Sequence, residues 1–313
     1  MVFQSNSLIF YRPSNSQGFT LMELLLVILI TGIMAVITGA VITRPMQGYV
    51  ALTQRAALVD QAEMALRRMQ RDIRRALPNS IRVSGNAIEM VNMVEGIAYR
   101  KGIATGNPAV DDAALDFTTQ DTSFNTIGTF SVQPPVVAST GIRLVIYNLP
   151  AGAGAGTSVY DAALAPGPFP PAGSHVITPF GTAITIGAAV VNEHAITMAV
   201  PPAAGGHQFA MQSPQQRLYI VDTPIAYICD PVVGTLTRYA GYPILPVQPV
   251  NPTIAPLLGN DDLVSANLIA CGFTYIPGTT QRSGMVRISL TVSDPISNES
   301  VTLMHQVHVV NAS

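Results

Sequence analysis

Charged residues make up only 11 per cent of this 313-residue chain, and they nearly cancel to a formal net charge of −2. No global basic field is available to gather nucleic acid, so no nucleic-acid partner is expected. Cysteine is equally scarce. Cys229 and Cys271 are the only two, and without a C-x-x-C pair they make no zinc site, which leaves a disulfide or two buried thiols. The signatures of catalysis are missing as well. Gly152, Gly154 and Gly156 follow an expected strand, but a dinucleotide fingerprint needs glycine where Thr157 stands, and no Gly-Lys-Ser/Thr ending makes a phosphate loop. His305 and His308 lie three apart on an expected strand and so point to opposite faces. His175, His194 and His207 fall in loop-like segments with no carboxylate or cysteine at ligand spacing. No G-x-S-x-G elbow and no paired catalytic acids stand out. These gaps point away from an enzyme, from a resident cofactor and from a metal, and there is no internal repeat.

Glycine and proline, by contrast, are plentiful at 25 and 24, a balance that suits short strands joined by many turns better than a helical bundle. The clearest strand is Met285–Val292, where Val286, Ile288, Leu290 and Val292 point to one face and Arg287, Ser289 and Thr291 to the other. A turn over 293–300 containing Asp294-Pro295 leads to an antiparallel partner at Val301–Val310. Further strands are expected at Ile142–Tyr147, Arg217–Val221, Ala226–Cys229 and Leu236–Tyr239. The stretches AGAGAGTS at 151–158, PGPFPPAGS at 166–174 and PILPVQPVNPTIAP at 243–256 read as surface loops.

The N-terminal quarter has a different character. From Leu24 to Thr43 twenty residues carry no charge, and as a helix they would reach roughly 30 Å, the thickness of a bilayer's hydrocarbon core. The run is too long for the apolar part of a secretory signal peptide and has no Ala-x-Ala at its end. Beyond it, Leu52, Val59, Leu66 and Ile73 recur every seven residues with Ala56, Ala62, Met69 and Ala76 beside them, the apolar stripe of an amphipathic helix. Pro45 predicts a kink or short break, and Pro78 stops the helix after Leu77. Thr31, Ala35, Gly39 and Thr43 form a small-residue ridge that suits a close helix neighbour. Arg67, Arg68, Arg71, Arg74 and Arg75 crowd the last turns, where cations suit a helix C-terminus and Glu63 can pair with Arg67. An acidic neighbour or anionic lipid is the functional alternative for these arginines.

One residue remains unexplained by a plain membrane anchor. Glu23 stands at the threshold of the apolar run, where a carboxylate is costly unless it stays near the interface or finds a partner. It belongs to Gly18-Phe19-Thr20-Leu21-Met22-Glu23, and this junction before a spanning run resembles the processing motif of type IV pilins and pseudopilins. That resemblance implies cleavage after Gly18 by a prepilin peptidase, N-methylation of Phe19, and attraction between Glu23 and the N-terminal amine of a neighbouring subunit. It divides the chain into a leader at 1–18, a transmembrane helix half at 19–43, an amphipathic half at 44–77 and a β-rich head at 78–313. The leader carries a single basic residue, Arg12, so orientation rests on the cleavage motif more than on positive charge.

Several stretches of the C-terminal part extend the likeness. Cys229-Asp230, GTLTRYAGYPI at 234–244, Cys271-Gly272-Phe273-Thr274-Tyr275 and RSGMVRISLTVSD at 282–294, with Leu303–Val309 and ALPNSIR at 76–82, resemble the large minor pilins of mannose-sensitive haemagglutinin pili. Both ends of the chain match well and the middle, about 100–215, only loosely. The implied fold is α+β, a long N-terminal helix packed on a β-rich, loop-rich head of antiparallel sheets. The implied partners are other minor pilins and the major pilin, the prepilin peptidase and the inner-membrane assembly platform. The implied location is the inner membrane of a Gram-negative bacterium, single-pass with the head in the periplasm, and then the pilus at the cell surface. In that oxidising compartment Cys229 and Cys271 are expected to pair. A head of this bulk suits a filament tip better than a repeating shaft position. Three roles stay open: pilus assembly, a tip adhesin for a surface or glycan, and a J-type pseudopilin of type II secretion.

Overall fold

The structure is a computed structural model that describes residues 18–102, 113–131, 136–161, 174–200, 206–253, 256–259, 261–278 and 282–309. The expected leader with Arg12, and all of the 166–174 loop except Ser174, lie outside the described residues. A single helix, α1 (Leu21–Arg74), opens the chain. Fifteen strands follow among the described residues. They are β1 (Arg82–Ser84), β2 (Ala87–Tyr99), β3 (Ser123–Ile127), β4 (Val136–Ser139), β5 (Arg143–Ile146), β6 (Ser174–His175), β7 (Ala183–Ile186) and β8 (Ala195–Ala199). The remainder are β9 (Gln208–Phe209), β10 (Arg217–Asp230), β11 (Thr235–Ala240), β12 (Asp261–Ser265), β13 (Leu268–Ile276), β14 (Gly284–Ser293) and β15 (Ser300–Val309). The fold class is α+β, an apolar N-terminal helix followed by a β-rich head.

Two compact units divide the chain, Met1–Gln54 and Arg55–Ser313. In the first, the apolar span Leu21–Gly39 is long enough to cross a membrane, and none of it is buried. Its hydroxyls are satisfied locally: Thr31 and Thr38 donate to the carbonyls of Val27 and Met34, each at 2.7 Å, as a helix in hydrocarbon requires. The helix runs without interruption through Pro45, where a break was one expectation. Proline removes one amide donor, and the regular turns on either side keep their own bonds.

In the second unit, a ten-stranded sheet has the path β12-β11-β10-β2-β3-β8-β7-β4, with β1 on β2 and β5 on β10. A three-stranded sheet has the order β13-β14-β15. Pairing is antiparallel except for the two-residue pair β6 and β9, which is parallel. The expected terminal hairpin forms with Val292 opposite Val301, and its four alternating apolar residues, Val286, Ile288, Leu290 and Val292, are buried.

The helix buries Leu58, Ala62, Ala65, Leu66, Met69 and Ile73 in one cluster with Ile88 and Met90 of β2, Tyr227 of β10, and Ile288 and Leu290 of β14. The heptad stripe therefore works over its C-terminal part, while Leu52 and Ala56 are exposed and Val59 only half-buried. Each large side chain so buried contributes roughly 1.5–3 kcal/mol. Helix α1 ends at Arg74, three residues before the expected Leu77, because β2 takes over the backbone. Leu77 N–H donates to Val91 O at 2.9 Å, and Met93 N–H to Arg75 O at 2.8 Å.

Cys229 on β10 and Cys271 on β13 form a disulfide with Cα atoms 6.5 Å apart, joining the large sheet to the small one beside the buried face of α1. The expected strands at 217–221 and 226–229 are one strand, β10, with register shifts around Val221 and Pro224. A bulge there accommodates Pro224, which has no N–H to give the ladder, in the interior of the sheet. On either side of the bulge β10 serves different cores: Ile225 and Tyr227 face α1, whereas Leu218 and Ile220 join Phe124, Leu144 and Phe209 in a second cluster.

Candidate processing and assembly site

Gly18, Phe19 and Thr20 precede the first helical turn, and Phe19 is 79 per cent exposed. Thr20 caps the helix: its hydroxyl accepts the Glu23 N–H at 3.2 Å, while its carbonyl accepts the Leu24 N–H at 3.1 Å. One of the amides left over at a helix start is thereby satisfied. The spacing Thr20-x-x-Glu23 is a capping-box pattern, readable in the sequence and not used there. Glu23 lies in the first turn, where the helix dipole favours an anion. Its position therefore has a local basis in the helix start. That basis leaves the exposed carboxylate open to a cation from outside.

A side chain at Gly18 would meet no atom within 4 Å, and the residue does not take the left-handed backbone conformation that favours glycine. Among the described residues neither packing nor backbone geometry asks for glycine at that position. Gly18, Phe19 and Glu23 are contiguous in one short exposed stretch, and Cys229 and Cys271 belong to the head.

The arginines at the other end of α1 split into two groups. Arg67 pairs with Glu63 at 3.2 Å, one helical turn away, and Arg68 pairs with Asp262. Asp72 accepts from Arg238 Nε at 2.8 Å and from the Tyr227 hydroxyl at 2.7 Å. Burial, reinforced by the Asp72 charge, pushes the Tyr227 phenol far up, so it serves as a neutral donor. Arg71, Arg74 and Arg75 are exposed.

The head also buries polar groups that sequence reasoning did not single out. Glu89 is fully buried and pairs with Arg82 at 2.8 Å, and the Arg82 guanidinium lies 3.7 Å above the Tyr160 ring. Burial pushes the Glu89 carboxyl up to about 7 against the opposing pull of Arg82. The residues carried no local signal, because Arg82 and Glu89 meet only through the β1–β2 hairpin register.

The three histidines expected in loop-like segments are buried. His194 accepts the Phe130 N–H at Nε2 (3.2 Å) and donates from Nδ1 to Gly187 O (2.8 Å), which fixes its tautomer. Burial lowers His175 to about 4 and His207 to about 3. Among the described residues, no three His, Cys, Asp or Glu side chains come together as a metal set.

The family model of the prokaryotic N-terminal methylation motif matches residues 13–39, the segment that holds Gly18, Phe19, Glu23 and the apolar span. No curated protein and no solved structure matches the chain. The motif marks a type IV pilin-like or pseudopilin-like N-terminus, and together with the exposed apolar span it supports membrane anchoring.

Proposed function

We propose that this chain is a minor type IV pilin, similar to MshO of mannose-sensitive haemagglutinin pili, which acts in pilus assembly at the filament tip as part of a priming complex. The observation that carries the reading is the junction at Gly18. A glycine that no contact among the described residues calls for stands immediately before an exposed phenylalanine and a capped apolar helix, inside the matched methylation motif. A peptidase that cuts before Phe19 supplies a reason for glycine there.

In this reading residues 1–18 are a leader, 19–43 hold the subunit in the inner membrane, and 44–77 join it to a head at 78–313 in the periplasm. Processing gives Phe19 a free, then methylated, amine. The Glu23 carboxylate of one subunit pairs with that amine on its neighbour, and the pair favours docking in one axial register because either charge alone is costly in an apolar bundle. The prepilin peptidase, the assembly platform, the major pilin and other minor pilins are the partners, and the role is structural, without catalysis.

Mass spectrometry of the mature N-terminus tests the reading: N-methylated Phe19 and a chain of 295 residues, 313 less the 18-residue leader, are expected. An intact Met1 or a cut elsewhere would overturn it. Deleting the gene then resolves the role. Loss of surface pili supports assembly; normal pili with lost attachment would make the head an adhesin, and loss of exported enzymes would make it a pseudopilin of type II secretion.

A further inference from the structure

The last two turns of α1 and strand β11 border a cleft of about 580 Å³ lined by Arg68, Arg71, Asp72, Arg74, Arg75 and Arg238. Five guanidinium groups and one carboxylate leave a formal lining charge of +4 in a chain whose total is −2. Two of the five are engaged, Arg68 by Asp262 and Arg238 by Asp72. Among the described residues no ion pair engages Arg71, Arg74 or Arg75, so three cations crowd one another on neighbouring turns. A helix C-terminus favours nearby cations by only about 0.3–1 kcal/mol, an effect confined to its last turn. It does not account for Arg238, which arrives from a strand and is fixed in the wall by a part-buried Asp72 that Tyr227 also holds.

We propose that this cleft receives a carboxylate-rich segment of a neighbouring protein subunit. The naming of that neighbour as a filament subunit rests on the pilin reading; the binding chemistry does not. The lining arginines already show the recognition, since Arg238 holds Asp72 within the cleft and Arg68 holds Asp262. Planar guanidinium forks match carboxylates in pairs and lose little on being ordered. None of the six lining residues offers an aromatic face, so the stacking platform of a single-stranded nucleic-acid site is missing.

The test uses the full chain in detergent micelles with fluorescein-labelled hexaglutamate as the probe, read by anisotropy at low and high salt. Hexaglutamate binds, hexaglutamine does not, and salt weakens the complex. The triple variant Arg71→Gln, Arg74→Gln, Arg75→Gln weakens binding by about 10-fold or more, on the scale of a few charge-assisted contacts. A control with Arg217→Gln, Arg282→Gln and Arg287→Gln removes the same charge from exposed positions elsewhere and changes binding by less than about 2-fold, as expected of remote screened charges. Circular dichroism on both variants reports folding, and Arg71→Lys, Arg74→Lys, Arg75→Lys retains charge and part of the affinity. Equal losses in control and cleft variants would overturn the proposal. So would cleft-dependent binding of phosphatidylglycerol vesicles or a single-stranded oligonucleotide with none of hexaglutamate. The mature N-terminus is measured separately, so failure here leaves the processing result standing.

Discussion

Replacing both Cys229 and Cys271 by alanine should destabilise the head by about 5 kcal/mol. The bridge spans a sequence separation of 42. Closing a loop of that size removes on the order of 13 cal/mol/K of entropy from the unfolded chain, which is about 4 kcal/mol at 25 °C in the chain-entropy model. The folded-state contribution is smaller. Cys229 is buried in the cluster that holds α1 between the two sheets, and truncating one sulfur there leaves a void of less than a methylene pair, adding about 1 kcal/mol. Both sheets still share one core cluster with α1, through Ile88, Met90 and Tyr227 of the large sheet and Ile288 and Leu290 of the small one, so the reduced head remains folded with a lower midpoint. With a urea slope of roughly 3 kcal/mol/M for a head of this size, the midpoint should fall by about 1.7 M. Urea unfolding of the detergent-solubilised chain, followed by far-ultraviolet circular dichroism under oxidising and reducing conditions, measures it. Coincident oxidised and reduced curves, with the double variant equal to both, would show that the cysteines do not constrain the unfolded chain.

Glu23→Ala should leave the protein membrane-bound yet poorly incorporated into filaments, measured by shearing surface fibres and blotting; unchanged incorporation would remove the pairing role. Ile73→Ala cuts into the core where α1 meets both sheets, and a loss of about 2–5 kcal/mol is expected from the midpoint of unfolding. Acid stability carries two opposing signs. His175 and His207 are lowered to about 4 and about 3, so from about 6.5 downward the unfolded chain takes up two protons that the folded head refuses, and stability falls with falling pH. Glu89, raised to about 7, is protonated in the folded head over the same window and contributes stability that is lost as pH rises from 4.5 through 7. The difference is one proton, or roughly 1.4 kcal/mol per pH unit around pH 5–6 with stability rising with pH. Glu89→Gln should about double that slope, and a flat profile in this variant would contradict the burial of the two histidines.

How much was readable depends on the range of the interaction concerned. The uncharged run before Thr43, the heptad positions Ala62, Leu66, Met69 and Ile73, and the hairpin of Val292 with Val301 are periodicities within a few turns or one tight connection, so residue types alone specify them. The processing junction is likewise a local string. Strand β2 escaped notice because neither face shows simple alternation: β10 lies along one edge, β1 and β3 along the other, and its buried residues serve different clusters. Its Met and Glu residues also favour helix over strand.

The linear sequence by itself determined a capped apolar helix with a carboxylate in its first turn and an amphipathic continuation, because each depends on neighbours no more than a few residues away. Only the tertiary structure decided that this helix stops at Arg74, that Arg82 and Glu89 are paired out of water, and that Arg238 joins arginines more than 160 residues earlier around one cleft. Those outcomes follow from how strands are paired and packed, across the β1–β2 hairpin for Arg82 and Glu89 and between distant segments for the helix end and the cleft. Which side chains are desolvated together is a property of the packed sheets, and no window along the chain contains it.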